Sequence, residues 1–222
     1  MVLLKNAGVL PLKKPAKVAF IGEFARTPRF QGGGSSNVNA YKVTSALEAD
    51  GTMDLQVSFA PGYAIQTAEP DEAMLREAAE TAKNADVAVV FVGITDAMES
   101  EGFDRRTLSM PKNHEALVEA VSKVQKNTVV VVMCGGCITM PWLDDVRGVL
   151  YAYLGGEAVG PATTTPPASW RNPSRSGWRT TRPTSTTSAT SRTAPNTARA
   201  CSSATAITIR RTSTCSIRSA TA

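Results

Sequence analysis

The chain has 222 residues, 42% of them hydrophobic, enough for one large domain or two small ones with a buried core. Charge is distributed unevenly. Through Ala162, 15 Lys and Arg stand against 19 Asp and Glu, a net of −4. The 60 residues from Thr163 onward hold nine Arg and 27 Ser or Thr, with no Lys and no acid, so the formal charge of +5 belongs to the tail. No apolar stretch approaches the roughly 20 residues of a membrane-spanning helix. The opening Met-Val-Leu-Leu run meets Lys5 and Asn6 too soon for a secretory signal. The chain is expected to be neither membrane-bound nor exported, and cytoplasmic by default.

Five short Val-rich runs, at 18–21, 55–59, 87–92, 128–133 and 149–154, are nearly continuous rather than alternating. Strands covered on both faces read this way, and they usually belong to parallel sheets. Residues 37–49 are a weak helical candidate. Segment 71–84 repeats Ala and Leu at helical spacing behind a Pro70-Asp71 start, with Glu and Lys on its other face. Segment 113–126 sets Leu117, Val118, Val121 and Val124 on one stripe, and His114 near its start is expected on the surface. Strand and helix alternating at these intervals require crossover connections, hence a layered α/β domain over residues 1–160.

In such a sheet, function collects in loops beyond the carboxyl ends of the strands. Three loops stand out, all expected on one edge: residues 27–36, residues 96–105, and Cys134-Gly-Gly-Cys137 with the Met140-Pro-Trp142 that follows. The first contains Gly32-Gly-Gly-Ser-Ser36 but neither G-x-G-x-x-G spacing nor a P-loop lysine, so a nucleotide site is not supported. Taken alone, its glycines read as a tight turn. In the second loop Glu99 and Glu101 stand two apart, ahead of Gly102 and the Asp104-Arg105 pair. A solvated charge cluster is the ordinary reading of such a run. Against it stand the buried strand that precedes the loop and Phe103 among the charges. A carboxylic acid beside a glycine hinge can serve as a movable proton donor.

The cysteines are Cys134, Cys137, Cys201 and Cys215, and the one histidine is His114, a set that does not make a zinc site. Cys134-Gly-Gly-Cys137 reads first as a buried Cys at a strand end followed by a glycine turn, and second as a redox dithiol. Trp142 reads as a buried anchor. No metal and no cofactor are expected.

Several of these runs are familiar together. L-L-K-N-A-G-V-L-P-L at 3–12, T-P-R-F-Q-G-G-G-S-S-N-V-N at 27–39, A-D-V-A-V-V-F-V-G at 85–93, E-S-E-G-F-D-R at 99–105 and M-P-W at 140–142 occur in order over residues 2–160. They resemble the second domain of glycoside hydrolase family 3, in its bacterial β-glucosidase-like branch. The resemblance implies a three-layer α/β sandwich with a mostly parallel sheet, packed in family members against a (β/α)₈ barrel with the active site between the two. It also implies retaining hydrolysis of β-linked O-glycosides, an aspartate of the barrel attacking and an acid of this domain protonating the leaving oxygen. Matched to E-G-F-D-R, Glu101 would be that acid/base, with Glu99 as its rival. Arg29, Gly33, Gly34, Ser35 and Ser36 would line the substrate pocket, and Asp104 and Arg105 would brace the acid loop. Partners implied are a glycoside and the barrel, with neither membrane nor nucleic acid. The barrel and its nucleophile normally precede the connector at residues 3–12, so this chain alone is expected to be inactive, the alternative being a non-catalytic sugar-pocket domain that complements a separately encoded barrel. Sugar specificity would rest mainly on barrel residues.

Residues 161–222 depart from the family pattern and form a low-complexity Ser/Thr/Arg tail, expected to be disordered. A basic nucleic-acid-binding arm is the alternative, disfavoured by the lack of lysine and interleaved aromatics. Reading codons allowed for residues 195–221 from the third base of the Pro195 codon yields E-Y-R-E-G-L-F-V-G-Y-R-Y-Y-D and, further on, Y-P-F-G-H. Those are family phrases, so the tail reads as out-of-frame translation.

Overall fold

The computed structural model describes residues 1–12, 16–49 and 55–164; of the tail expected to be disordered from residue 161, residues 161–164 are helical and residues 165–222, with Cys201 and Cys215, lie outside the described residues. Six strands, β1 (Val2–Asn6), β2 (Lys17–Ile21), β3 (Gln56–Ala60), β4 (Val87–Gly93), β5 (Thr128–Met133) and β6 (Gly148–Tyr151), form one sheet in the order β1-β6-β5-β4-β2-β3. Every pairing is parallel except that of β1 with β6. All five Val-rich runs become strands. The sixth, β1, comes from connector residues that carried no strand signal: it is an edge strand with only Leu3 buried, broken in register between Leu3 and Lys5. The last run stops at Tyr151 rather than reaching 154, because Tyr153 turns into the left-handed region at φ 57°.

The register sorts the strand residues onto two covered faces. Phe20, Val89, Phe91, Val129, Val131 and Leu150 share one face with Leu10 and Leu12 of the connector and with Thr163 and Thr164 of a short helix, α4 (Val159–Thr164). They leave a pocket of only about 40 Å³. Two longer helices, α2 (Glu72–Lys83) and α3 (Lys112–Val124), close the other face through Leu75, Ala78 and Ala82 and through Leu117, Val118 and Val121. Cover on both sides is why the inner strands β4 and β5 lack alternation, while the edge strand β3 keeps it, and the described domain is an α/β sandwich.

Local chemistry sets the helix bounds. Asp71 caps α2 by accepting from the amides of Ala73 and Met74. At the end of α3, Gln125 turns extended and donates to the carbonyls of Ala82 and Ala85, tying α3 to the end of α2. Val124, expected on the buried stripe, is 44% exposed because it is the last helical residue. Of the weak candidate 37–49, only α1 (Ala46–Ala49) forms. Its start is a capping box: Ser45 Oγ accepts from the Glu48 amide and the Glu48 carboxylate accepts from the Ser45 amide. The expected domain boundary at 160 falls inside α4.

His114 is not on the surface. It is fully buried, its ring centroid 3.8 Å from that of Tyr63 and 5.4 Å from that of Phe24. Its position three and four residues before Leu117 and Val118 puts it on the inward stripe, a spacing that outweighs its polarity. Nδ1 accepts from the Gly93 amide at 3.1 Å, so the neutral ring carries its proton on Nε2, which is buried without a partner. Burial pushes the ring down to about 3 from 6.5. Between those values the unfolded chain takes up a proton that the folded chain refuses, so stability falls as pH drops. At pH 5 the deficit from this group is about 2 kcal/mol relative to pH 7.5. Urea unfolding at both pH values should show the acid loss smaller by about that amount in His114→Gln than in the parent.

Candidate active site

The carboxyl ends of β2, β4 and β5 lie side by side, and the three loops singled out in the sequence meet there. The first turn requires glycine. Gly22 leaves β2 at φ 107°, and a Cβ there would sit 2.1 Å from the Phe91 carbonyl oxygen of β4. A 3-10 turn, Glu23–Ala25, then leads to Arg29 and the glycine loop.

Arg29 is the joint between loops. It is 7% exposed, and its guanidinium donates from Nε to Asp96 at 2.9 Å and from Nη1 to the Ile94 carbonyl at 2.9 Å. Nη1 also lies 2.5 Å from Glu99 Oε2, and Nη2 donates to the Glu99 carbonyl at 3.0 Å. Expected as a pocket-lining residue, Arg29 is thus mostly occupied in holding the acid loop. Glu99 is tied from the third loop as well, since its Oε2 accepts from the Gly135 amide at 2.9 Å. Burial raises the Glu99 pKa, but the Gly135 amide, then Arg29 and Arg105, outweigh it and hold the carboxyl below its ordinary range.

Glu101 is placed differently. It is exposed, and its carboxylate accepts from the amide of Ser35 at 2.7 Å and, at a very short distance, from the Ser35 hydroxyl. Those two bonds, the hydroxyl first, keep its pKa below the usual carboxylate value. The glycine loop can approach this closely only because it lacks side chains. A Cβ on Gly34, which sits at φ 89°, would lie 2.6 Å from Glu101 Cβ, and one on Gly33 would lie 3.0 Å from Ser100 Oγ. Ser36 is exposed and makes no bond to the acid loop among the described residues. Gly102 has open space around it.

Arg105 does not pair with Asp104, which is exposed and without an ion pair among the described residues. It turns inward to the Cys137 carbonyl at 2.9 Å and stands 3.9 Å from Glu99, with Nε and Nη2 buried and unpartnered. Cys134 is buried and Cys137 exposed, both as free thiols, and burial pushes Cys134 up to about 11. Trp142 is 2% exposed. Gly135 and Tyr151 carry no signal in the sequence: one acts through its backbone amide, and the other, the last residue of β6, donates its hydroxyl to the Gly136 carbonyl at 2.5 Å. Among the described residues no cluster of three or more His, Cys, Asp or Glu is arranged to hold a metal ion, and no helix is long and apolar enough to cross a membrane. A cleft of about 750 Å³ between α3 and residues 141–147 lies at the amino ends of β5 and β6, away from the acidic loop.

A family model described as "Glycosyl hydrolase family 3 C-terminal domain" matches residues 1–174. The chain belongs to glycosyl hydrolase family 3. It is 47% identical over 164 residues to an exo-alpha-(1->6)-L-arabinopyranosidase of Bifidobacterium longum, covering 72% of this chain and 22% of that protein. It is 46% identical over 166 residues to thermostable beta-glucosidase B of Acetivibrio thermocellus, covering 73% and 22%. The crystal structure of a Bifidobacterium adolescentis family 3 beta-glucosidase is similar at a TM-score of 0.68 and 46% identity, over 72% of this chain and 24% of that one. The chain thus spans about 22% of the length of the curated relatives it matches, and corresponds to their family 3 C-terminal domain.

Arg29→Met should free the acid loop, which loses several charge-assisted bonds at once. Trypsin cleavage after Arg105 and Arg106 should speed up by roughly tenfold or more. Asp96→Asn, at a side chain that is 68% exposed, should change it little.

Proposed function

We propose that residues 1–160 are the acid/base-bearing domain of a retaining, β-glucosidase-like glycosidase, and that Glu101 is its proton donor. The observation that carries this reading is the contrast between the two glutamates. Glu99 is committed on three sides, to Arg29, Gly135 and Arg105, and has little freedom to meet a leaving group. Glu101 is exposed, next to an open glycine, and held among the described residues by Ser35 alone. Retention demands a second carboxylate roughly 5–5.5 Å away across the sugar. That neighbour would also cure the apparent mismatch in acidity. As isolated here Glu101 favours its charged form, whereas a like charge on the opposite wall raises a carboxyl pKa and keeps the proton available for donation.

Such a wall fits the family's barrel. Val38, Tyr41 and Phe103 are exposed apolar side chains on or beside these loops, Tyr41 at 97%, as a surface made for docking would be. A relative named for an arabinopyranoside and one named for glucosides match this chain at 47% and 46%, which supports sugar choice lying outside this domain. Arg29 would act on the reaction through Glu99, whereas Ser35 would act directly on Glu101. We also propose that the composition change after Ala162 marks a shifted reading frame, which the coding DNA across that region decides.

Two measurements test the catalytic reading. The 222-residue chain by itself should release no nitrophenol from aryl glucosides above background. In a two-domain enzyme joining residues 1–160 to a family barrel, Glu101→Ala should slow disaccharide hydrolysis by about 10²–10⁴-fold. It should slow aryl glucosides with good leaving groups much less, and azide should partly restore turnover. Full activity in Glu101→Ala, with the loss transferred to Glu99→Ala, would move the role to Glu99.

A further inference from the structure

The Cys134-Gly-Gly-Cys137 turn is the platform on which both braces of the acid loop rest. The Gly135 amide donates to Glu99, and the Cys137 carbonyl accepts from Arg105 at 2.9 Å. A Cβ on Gly136 would lie 3.1 Å from Glu99 Oε1, so the turn lies directly against that carboxylate. The turn is fixed from below by Tyr151, whose hydroxyl donates to the Gly136 carbonyl at 2.5 Å and lies 2.8 Å from Cys134 Sγ. One thiol is therefore buried under the turn and the other stands open to solvent three residues on.

We propose that this dithiol is a thiol–disulfide exchange site for low-molecular-weight disulfides, and that closing it unlocks the acid loop. Cys137, being exposed, reacts first. Its thiolate attacks one sulfur of the small disulfide, expels one thiolate and leaves a mixed disulfide on Cys137. Cys134, giving up its proton, then attacks the Cys137 sulfur and displaces the second small thiol. Two protein thiols are thereby oxidised to one disulfide, and one small disulfide is reduced to two thiols. The bond requires the sulfurs at about 2.05 Å and the two Cβ atoms at about 3.8 Å. Both thiols are free, and closing the bond acts on the two residues between them, Gly135-Gly136, whose backbone shifts to bring the sulfurs together. The backbone groups that hold Glu99 and Arg105 belong to that same segment. Two glycines between the cysteines widen the backbone conformations open to the turn.

The test uses the whole 222-residue chain with oxidised glutathione as probe. Trypsin cuts after Lys126 and Arg147, so residues 127–147 carry Cys134 and Cys137 and neither of the other cysteines. The expected product is this peptide lighter by two hydrogens, restored by dithiothreitol. Hydrogen–deuterium exchange of residues 96–106 should rise by roughly tenfold or more on oxidation. It should not respond in Cys137→Ser. A peptide that stays reduced, or that stops at a single glutathione adduct, overturns the exchange site. A disulfide that forms without faster exchange in residues 96–106 overturns the unlocking. Neither readout involves hydrolysis, so the outcome is independent of the role assigned to Glu101.

Discussion

The site depends on one buried cation. Arg29 reaches from the end of the first parallel strand into the start of the acid loop and satisfies Asp96, Ile94 and Glu99 together. A guanidinium withdrawn from water needs such a set of acceptors, and its planar fork fixes their directions. Glu99 then cannot swing, because its other contact is an amide from the next loop. Three loops that would otherwise move separately are joined through two side chains. Their stiffness allows Glu101, two residues on, to be held by a single serine and still have a defined position.

This division of labour also explains why the turn must be rich in glycine. Gly33 and Gly34 lie against Ser100 and Glu101, and Gly135 and Gly136 lie against Glu99. At each contact a Cβ would enter space already used by the acid loop. The glycines read in the sequence as turns are here also points of close packing.

The strand runs, and with them the three loops at their carboxyl ends, were legible in the sequence because nearly continuous Val-rich segments mark strands covered on both faces. The start of α2 was legible because Asp71 supplies an oxygen where helix amides need one. Other features depended on partners distant in the chain. β1 has too few buried residues to carry a pattern, and its place is set by β6. His114 looked like a surface group because polarity was weighed above its spacing from Leu117. Arg29 and Glu99 were visible as residue types, but their pairing, 70 positions apart, exists only once β2 and β4 are neighbours. Arg105 was visible as a charge of the acid loop, but its contact with the Cys137 carbonyl, 32 positions on, exists only in the fold.

The acidities of the two glutamates connect this geometry to chemistry. Both are held below the ordinary carboxylate range, but by contacts of different permanence. Those of Glu99 come from a buried arginine and a backbone amide, which only rearrangement of the turn removes. Those of Glu101 come from an exposed serine that any incoming hydroxyl can displace. A proton donor must change its protonation state within each turnover, so the residue with the removable stabilisation is suited to the task. The residue with the permanent one is suited to stay ionised and hold position. Exchanging their surroundings would exchange the causes of their acidity, since the side chains themselves are identical.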